Sequence, residues 1–197
     1  RTLLNLDISE LKSLQMLYDN NFEVPTNFNE FFKVYRKHND IWWFKKSRYE
    51  ANEIEVKQNR FRDTISELNI KTNLSLQEIS DLYFEQAKDH WQFYDGALES
   101  LKSFSNSHNV GMITNGFTKT QNQKIEYLNI REYFRYICLS EEAGFSKPDK
   151  RIFDHTLNKL KSDASHAVYI GDDYDSDIIG ARNAGLIPIW FNPEKKD

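Results

Sequence analysis

Cysteine, proline and glycine are scarce in this chain of 197 residues, which has one, four and seven of them, respectively. The lone cysteine, Cys138, excludes an internal disulfide, and its apolar neighbours predict a small buried side chain. A single cysteine fits a reducing compartment, and we expect the protein in the cytoplasm. No apolar stretch approaches the roughly 18 residues that a membrane-spanning helix needs, so we expect no membrane partner.

An excess of positive charge is also lacking, because the formal net charge is −4. Nothing in this balance favours a nucleic acid polymer as a partner, since no basic surplus is available to meet a row of phosphates. The hydrophobic share of 39% and the charged share of 28% are ordinary for a globular protein. The length fits one sizeable core, or one core with a smaller insertion.

Two regions of different pattern follow one another along the chain. From residue 10 to 93 apolar residues recur at helical spacing, and Ser75 with Glu78 has the spacing of a capping box. Beyond residue 94 short β-like runs alternate with helical patterns, which predicts an α/β domain with a doubly wound parallel sheet over 94–197. A helical-bundle domain over 10–93 precedes it. The predicted strands are 110–114, 136–139, 167–170 and 187–191, and the predicted helices are 97–104, 119–128, 150–160 and 176–184.

Four aspartates crowd within six residues after the predicted strand 167–170, which we expect to be buried. Carboxylates in such a place repel one another unless a cation neutralises them, and open α/β sheets bind ligands at these strand ends. Gly171, directly before them, allows a close approach. One aspartate alone would be interpreted as a helix cap, but the cluster favours a metal site. Its members are Asp172, Asp173, Asp175 and Asp177.

Two further segments of the second half carry polar residues after or near predicted strands. Thr114 and Asn115 leave the first strand, followed by Gly116, and together they could donate hydrogen bonds to an oxyanion. The same three residues are also good turn chemistry. Lys147 is followed by Pro148, which fixes the backbone and makes the lysine a better-placed point charge for a phosphate. A lone Lys-Pro pair, however, lies on the surface of most proteins.

In combination, these segments resemble the haloacid dehalogenase-like hydrolase superfamily. The second motif of that family, an apolar strand ending in Ser or Thr, is matched by Thr114. Its third motif, a lysine usually followed by proline, is matched by Lys147, and its fourth, Gly-Asp followed by a later Asp, is matched by Asp172 and Asp177. The resemblance implies a Rossmann-like α/β core, with a helical cap domain between the first and second motifs.

The first motif of the family, Asp-x-Asp-x-Thr, supplies the nucleophile and the general acid/base. The segment that begins at Arg1 resembles the end of this motif, with Thr2 as its threonine, so residues 1–9 would be the tail of the first core motif. Both aspartates would then precede Arg1. A protein that truly lacked them would be a catalytically silent relative that binds phosphate or a partner.

The resemblance implies hydrolysis of a small phosphomonoester through an aspartyl-phosphate intermediate. Thr2, Thr114 and Lys147 would be the catalytic residues of this chain, and Asn115 would join Thr114 and Lys147 in binding the phosphate. We expect the protein to act as a monomer or a homodimer.

Magnesium is the cofactor that the resemblance implies. Asp172 would bind the ion, and Asp173 and Asp177 would lie behind it and orient its ligands and Lys147. The dehalogenases of the superfamily need no metal and lack this aspartate cluster, so its presence here favours a phosphatase.

Three segments, 113–118, 140–153 and 171–185, are most similar to the noncanonical pyrimidine 5′-nucleotidase branch, which implies a nucleoside 5′-monophosphate as substrate. A phosphosugar or phosphoglycolate phosphatase is the alternative. Specificity is expected from the cap, where tryptophan could stack on a base and asparagine or arginine could read its edge. Aromatic residues at helical spacing, however, more often belong to the core of the cap, and an arginine more often lies on the surface. The candidates are Asn39, Trp42, Trp43 and Arg60.

Overall fold

The computed structural model describes residues 2–193 and residue 195. The chain divides into two compact units, one formed by Arg1–Asn5 with Phe93–Asp197 and the other by Leu6–Gln92. The helical unit therefore begins at Leu6, four residues before the predicted boundary. None of the helices in the described part of the chain is both long enough and apolar enough to cross a membrane.

The helical unit consists of α1 (Leu6–Asn21), α2 (Phe28–Ser47), α3 (Glu53–Leu68) and α4 (Leu76–Lys88). The predicted capping box at Ser75 and Glu78 is confirmed, and Asn52 forms a second one with Glu55 at the start of α3. These caps satisfy backbone N–H groups that have no partner inside the helix.

An aromatic-rich core holds the four helices together. Its largest fully buried side chains include Phe31, Tyr35 and Phe61. Burying an apolar side chain of this size contributes about 1.5–3 kcal/mol. The ring of Tyr35 lies 5.2 Å from that of Phe61, in a tilted arrangement.

The second unit alternates strands and helices in the predicted order. Its elements are α5 (Ala97–Ser107), β1 (Gly111–Thr114), α6 (Thr118–Tyr127), β2 (Tyr136–Leu139), α7 (Ser140–Ala143), α8 (Lys150–Leu160), β3 (Val168–Gly171), a π-helical turn (Tyr174–Ile179), α9 (Gly180–Asn183) and β4 (Ile187–Trp190).

The strands of this unit pair in parallel, which confirms the predicted α/β class. Thr114 at the end of β1 lies opposite Leu139, and Gly171 at the end of β3 lies opposite Trp190. Within residues 2–193, β1 pairs with β2 and β3 pairs with β4. The polar residues of interest leave β1 and β3 at their carboxyl ends, where parallel sheets place their ligands.

The prediction that strand 167–170 is buried is wrong for one of its faces. Val168 is 53% exposed and Ile170 is 43% exposed, and their partners Ile187 and Ile189 on β4 are similarly open. Tyr169, on the other face, packs against the buried cluster around Phe153. A continuous apolar run predicts burial on both faces, but a strand pair can bury one face alone.

The helix predicted over 176–184 is instead a π-helical turn followed by the short α9. The N–H of Ile178 donates to the carbonyl of Asp173, five residues earlier. The wider turn coincides with an inward-facing Asp177 side chain that is 3% exposed. Insertions of this kind often occur at functional sites.

Candidate active site

A chain of hydrogen bonds links the polar residues at the ends of β1 and β3 within the second unit. It runs from Asn115, the neighbour of Thr114 in sequence, to the backbone of Lys147, and from the Lys147 ammonium to Asp177. Asp177 in turn accepts from the backbone of Asp172. Segments that are far apart in sequence therefore meet at one edge of the unit.

The Thr114 hydroxyl lies at the start of the loop between β1 and α6. Its Oγ1 accepts from the N–H of Gly116 at 3.1 Å and from Nε2 of Gln121 at 2.8 Å. The turn at the end of the strand is thereby closed by its own side chain, in the manner typical of Ser and Thr. The N–H of Thr118, at the start of α6, donates to Oε2 of Glu141 at 2.7 Å.

Asn115 joins this loop to the one that carries Lys147. Its Nδ2 donates to the carbonyl of Lys147 at 2.9 Å, and its Oδ1 accepts from the Lys147 N–H at the same distance. Because the amide satisfies both backbone groups of one residue, it fixes the position of the lysine relative to β1. Asn115 thus has a structural contact in addition to the phosphate-binding role expected of it.

The Lys147 ammonium is held between a phenol and a carboxylate. Its Nζ lies 3.0 Å from the hydroxyl of Tyr169 and 2.5 Å from Oδ1 of Asp177. Burial by itself would lower the pKa of Lys147, but Tyr169 and Asp177 outweigh this effect and raise the pKa above its ordinary value. The side chain, 11% exposed, therefore carries a full positive charge at neutral pH.

Tyr169 completes a triangle with these two groups. Its hydroxyl donates to Oδ1 of Asp177 at 3.1 Å. Burial raises the pKa of Tyr169 to about 12, partly offset by the charge of Lys147. The phenol therefore stays neutral and keeps its proton for the carboxylate.

The second carboxylate oxygen of Asp177 organises the end of β3. Its Oδ2 accepts from the N–H groups of Asp172 and Asp173, each at 3.1 Å. A Cβ atom at Gly171 would lie 2.3 Å from Cβ of Asp177, so glycine is required where this side chain crosses the strand end. The close approach expected at Gly171 is thus made by Asp177 and not by a ligand.

Asp172 is partly buried at the carboxyl end of β3. Its Oδ1 accepts from the hydroxyl of Thr2 at 2.8 Å, and its backbone carbonyl accepts from Nε1 of Trp190 at 3.1 Å. Thr2 belongs to the same compact unit, although 170 positions separate it from Asp172. The expected tail of the first motif therefore lies beside the residue expected to bind the metal.

The four aspartates do not converge on one point, which corrects the argument from crowding. Asp177 faces Lys147 and two N–H groups, while Asp173 caps the following turn by accepting from the N–H and hydroxyl of Ser176. Asp175 is exposed. No group of three or more Asp, Glu, His or Cys side chains in the described part of the chain is arranged to hold a metal.

Asp172, the member of this cluster expected to bind the ion, remains a candidate metal ligand. Magnesium is commonly bound by one or two carboxylates together with substrate phosphate and water, so a single partly buried carboxylate at a strand end fits it. The hydroxyl of Thr2 and the indole of Trp190 fix the side chain and the backbone of Asp172.

The family to which this arrangement belongs follows from comparison with known proteins. The haloacid dehalogenase-like hydrolase family matches residues 21–191, which is most of the chain. The chain belongs to the haloacid dehalogenase-like hydrolases. Its helical unit and its parallel-stranded core are the two parts of that fold, as the sequence motifs predicted.

Several relatives of this hydrolase are known. The magnesium-bound crystal structure of the HAD-hydrolase YfnB from Bacillus subtilis superposes with a TM-score of 0.85 at 26% identity, over 99% of this chain and 86% of that one. The pyrimidine 5′-nucleotidase YjjG of Escherichia coli is 28% identical over 85% of this chain and 73% of its own. A glyceraldehyde 3-phosphate phosphatase of Methanothermobacter thermautotrophicus is 37% identical over 46% of this chain and 40% of its own.

The predicted specificity residues of this hydrolase lie in the helical unit, and three of the four are buried there. Nη1 of Arg60 donates to Oδ1 of Asn39 at 2.9 Å, and the Trp42 indole donates to Asp63 at 2.7 Å. These contacts favour structural roles for Asn39, Trp42 and Arg60. Trp43 is half-buried, with the Lys46 ammonium 5.8 Å from its ring centre.

Three residues that touch the site were not predicted from the sequence. Gln121 looked like an ordinary polar position of a helix, and Tyr169 and Trp190 looked like core residues of apolar strands. The alternation of side chains along a strand could have identified Tyr169. It lies two residues before Gly171 and therefore on the same face of the strand, the one that points inward. Nothing local marks Gln121, whose contact depends on the fold of the preceding loop.

Proposed function

We propose that this hydrolase is a magnesium-dependent phosphomonoesterase whose preferred substrate is a nucleoside 5′-monophosphate. One observation carries the proposal, namely the chain of hydrogen bonds that runs from Asn115, next to Thr114, through Lys147 to Asp177 and the backbone of Asp172. It places a hydroxyl, a charged ammonium and a carboxylate at one edge of the core, which are the groups that phosphoryl transfer requires.

In this proposal the phosphate is held by Thr114 and Lys147. The hydroxyl donates to one phosphoryl oxygen, and the ammonium neutralises charge that builds up during transfer. The ion pair with Asp177 at 2.5 Å keeps the ammonium in place before the substrate arrives. Preorganisation of this kind lowers the reorganisation needed at the moment of reaction.

Asp172 would hold the magnesium ion. When bound, the ion supplies a positive charge that offsets the repulsion between an anionic carboxylate nucleophile and an anionic phosphate. Thr2 would orient the Asp172 carboxylate through the hydrogen bond from its hydroxyl. Asp177 would fix the backbone on which Asp172 stands, while Asp173 serves the following turn.

The nucleophile and the acid/base group would be the two aspartates of the first family motif, which precede the threonine matched by Thr2. One aspartate attacks phosphorus as a carboxylate, and the P–O bond to the leaving group breaks. The other aspartate, as a carboxylic acid, gives its proton to the leaving alkoxide. Water then hydrolyses the aspartyl phosphate and releases inorganic phosphate. The residues of this chain bind and position the phosphate in both half-reactions.

We favour a nucleotide over a phosphosugar as the substrate because the chain is similar to YjjG, a pyrimidine 5′-nucleotidase, over 85% of its length. Trp43 is our candidate for stacking on the base, since it is the half-buried member of the four predicted specificity residues. The alternative, a small phosphosugar substrate, is supported by the relative from Methanothermobacter, which is 37% identical over 90 residues.

Release of inorganic phosphate from a panel of monophosphates tests this proposal. The protein is assayed with magnesium on pyrimidine and purine nucleoside 5′-monophosphates, glyceraldehyde 3-phosphate and phosphoglycolate. We expect the nucleotides to be hydrolysed with the highest kcat/KM, and Trp43→Ala to raise KM for nucleotides alone. A preference for the phosphosugars overturns the substrate assignment, and no hydrolysis of any compound overturns the proposal of a phosphatase.

A further inference from the structure

The hydrogen bonds made by the Thr114 hydroxyl show which of its donor and acceptor positions are already occupied. A threonine hydroxyl offers one proton and two lone pairs. Both lone pairs of Oγ1 are in use, one by the backbone N–H of Gly116 at 3.1 Å and the other by Nε2 of Gln121 at 2.8 Å. A backbone N–H can only donate, so its partner must accept. The remaining capacity of this hydroxyl is its own proton.

Gln121 reaches Thr114 from the first turn of α6, seven residues further along the chain. It passes directly over Gly116, where a Cβ atom would lie 2.0 Å from Nε2 of Gln121. Glycine at this position therefore clears the path of the glutamine side chain. Gly116 and Gln121 therefore both donate to the hydroxyl of Thr114, and the absence of a side chain at Gly116 makes room for Gln121.

We propose that Gln121 is a positioning residue that directs the Thr114 proton toward the phosphate. By occupying a lone pair of Oγ1, the glutamine amide leaves the hydroxyl only the role of donor, which is the role that an anionic phosphoryl oxygen needs. Gln121 does not touch the substrate and acts through Thr114 alone. This inference rests on the proposed function insofar as Thr114 binds phosphate.

The direction of this hydrogen bond makes the inference testable by near-isosteric substitution. In Gln121→Glu the new carboxylate can only accept, so it would take the Thr114 proton and turn it away from the phosphate. In Gln121→Leu the amide is lost at similar volume, and the hydroxyl becomes free to rotate. If the native amide accepted from Thr114 instead, Gln121→Glu would leave the geometry of the hydroxyl intact.

The experiment measures binding of inorganic phosphate in the presence of magnesium by calorimetry, together with kcat and KM. We expect Gln121→Leu to weaken phosphate binding about 5-fold, the scale of a typical hydrogen bond, and Gln121→Glu about 50-fold, the scale of a hydrogen bond to a charged group. Gln123→Glu adds the same charge to another side of α6 and serves as the control, with binding near that of the wild type. Circular dichroism verifies that each variant is folded.

A double-mutant cycle separates positioning from a general effect on structure. In a Thr114→Val background, Gln121→Leu should have no further effect on phosphate binding, because the hydroxyl through which it acts is gone. An equal loss in both backgrounds overturns the inference, as does wild-type affinity in both Gln121 variants. If Gln121→Leu does not fold, Gln121→Glu in the two backgrounds decides alone. Failure of the wild type to bind phosphate would instead refute the proposed function and, with it, this inference.

Discussion

A buried cation in each unit of the molecule is held in place by a different kind of partner, polar groups in one unit and mainly aromatic rings in the other. Lys147 in the core faces the Asp177 carboxylate at 2.5 Å and the hydroxyl of Tyr169 at 3.0 Å. Arg60 in the helical unit is 4% exposed and binds the side-chain amide of Asn39. Four aromatic rings surround its guanidinium, with ring centres between 4.8 and 5.6 Å away: those of Tyr35, Phe61, Tyr83 and Phe84.

The partners, and not burial or charge, distinguish the cation proposed to act on the phosphate from the cation of the helical unit. Within the described residues, Nη2 of Arg60 has no hydrogen-bond partner, and the rings stabilise the charge through their faces. Lys147 belongs instead to a network that extends through Asp177 to the backbone of Asp172. A cation built into such a polar network at a strand end can act on a ligand, whereas a cation enclosed by rings stabilises packing.

The largest effect is expected when the core cation is neutralised. Lys147→Met removes the charge that faces the phosphate, and we expect a loss of about 10²–10³ in kcat, the scale of one preorganised charge-stabilising group. It also leaves the buried Asp177 carboxylate without its counter-ion, which destabilises the fold by about 3–5 kcal/mol. Initial rates and chemical denaturation measure the two effects.

A compensating substitution separates the catalytic loss from the folding loss. Lys147→Met combined with Asp177→Asn removes both charges, so much of the lost stability should return while turnover stays low. Recovery of turnover in the double variant would show that the lysine charge has no part in the reaction.

Neutralising the cation of the helical unit should have the reverse outcome. Arg60→Met loses the contacts with the surrounding rings, and we expect stability to fall by about 2 kcal/mol with kcat per folded molecule unchanged. Arg62→Met, two residues away and half-exposed, is the control and should change stability little. Should Arg60→Met raise KM for nucleotides without loss of stability, Arg60 would return as a specificity residue.

A smaller effect is expected when only one partner of Lys147 is trimmed. Tyr169→Phe keeps the packing of the ring against Phe153 but removes the hydroxyl from the triangle, and we expect kcat to fall about tenfold with KM little changed. Tyr136→Phe is the matched control, because its hydroxyl bonds to His155 at 2.8 Å, outside the triangle. Equal effects of the two variants would contradict a specific role for Tyr169.

The smallest effect concerns stability at alkaline pH. Free tyrosine and lysine titrate near about 10 to 10.5, whereas burial raises the pKa of Tyr169 to about 12, and the pKa of Lys147 is also raised. The folded state therefore holds both protons longer than the unfolded chain, so stability falls as pH rises above about 10. Denaturation midpoints between pH 8 and 11 should fall less steeply in Tyr169→Phe than in the wild type. The same pH dependence of stability in both proteins would refute the raised pKa of Tyr169.

The sequence was sufficient for features that depend on local chemistry. The capping box at Ser75 and Glu78, the parallel strands and the family motifs at Thr114, Lys147 and Asp172 are all expressed in short patterns. Such patterns work because backbone N–H groups, strand ends and turns impose the same demands in every context.

Features that depend on tertiary contacts were missed. The contact of Gln121 with Thr114 requires both the turn at Gly116 and the start of α6, and no local rule selects that glutamine. The exposure of Val168 depends on which faces of β3 and β4 are covered, which an apolar run does not encode. The crowding of aspartates favoured a metal site at Asp172, but the directions of the other side chains could not be known before the π-helical turn was seen.

A crystal structure with magnesium and vanadate tests the central claim most directly, since vanadate imitates the phosphate in transfer. The proposal predicts that the metal binds the Asp172 carboxylate and that vanadate oxygens accept from Oγ1 of Thr114 and Nζ of Lys147. Vanadate bound away from Thr114 and Lys147, or magnesium absent from Asp172, would contradict it.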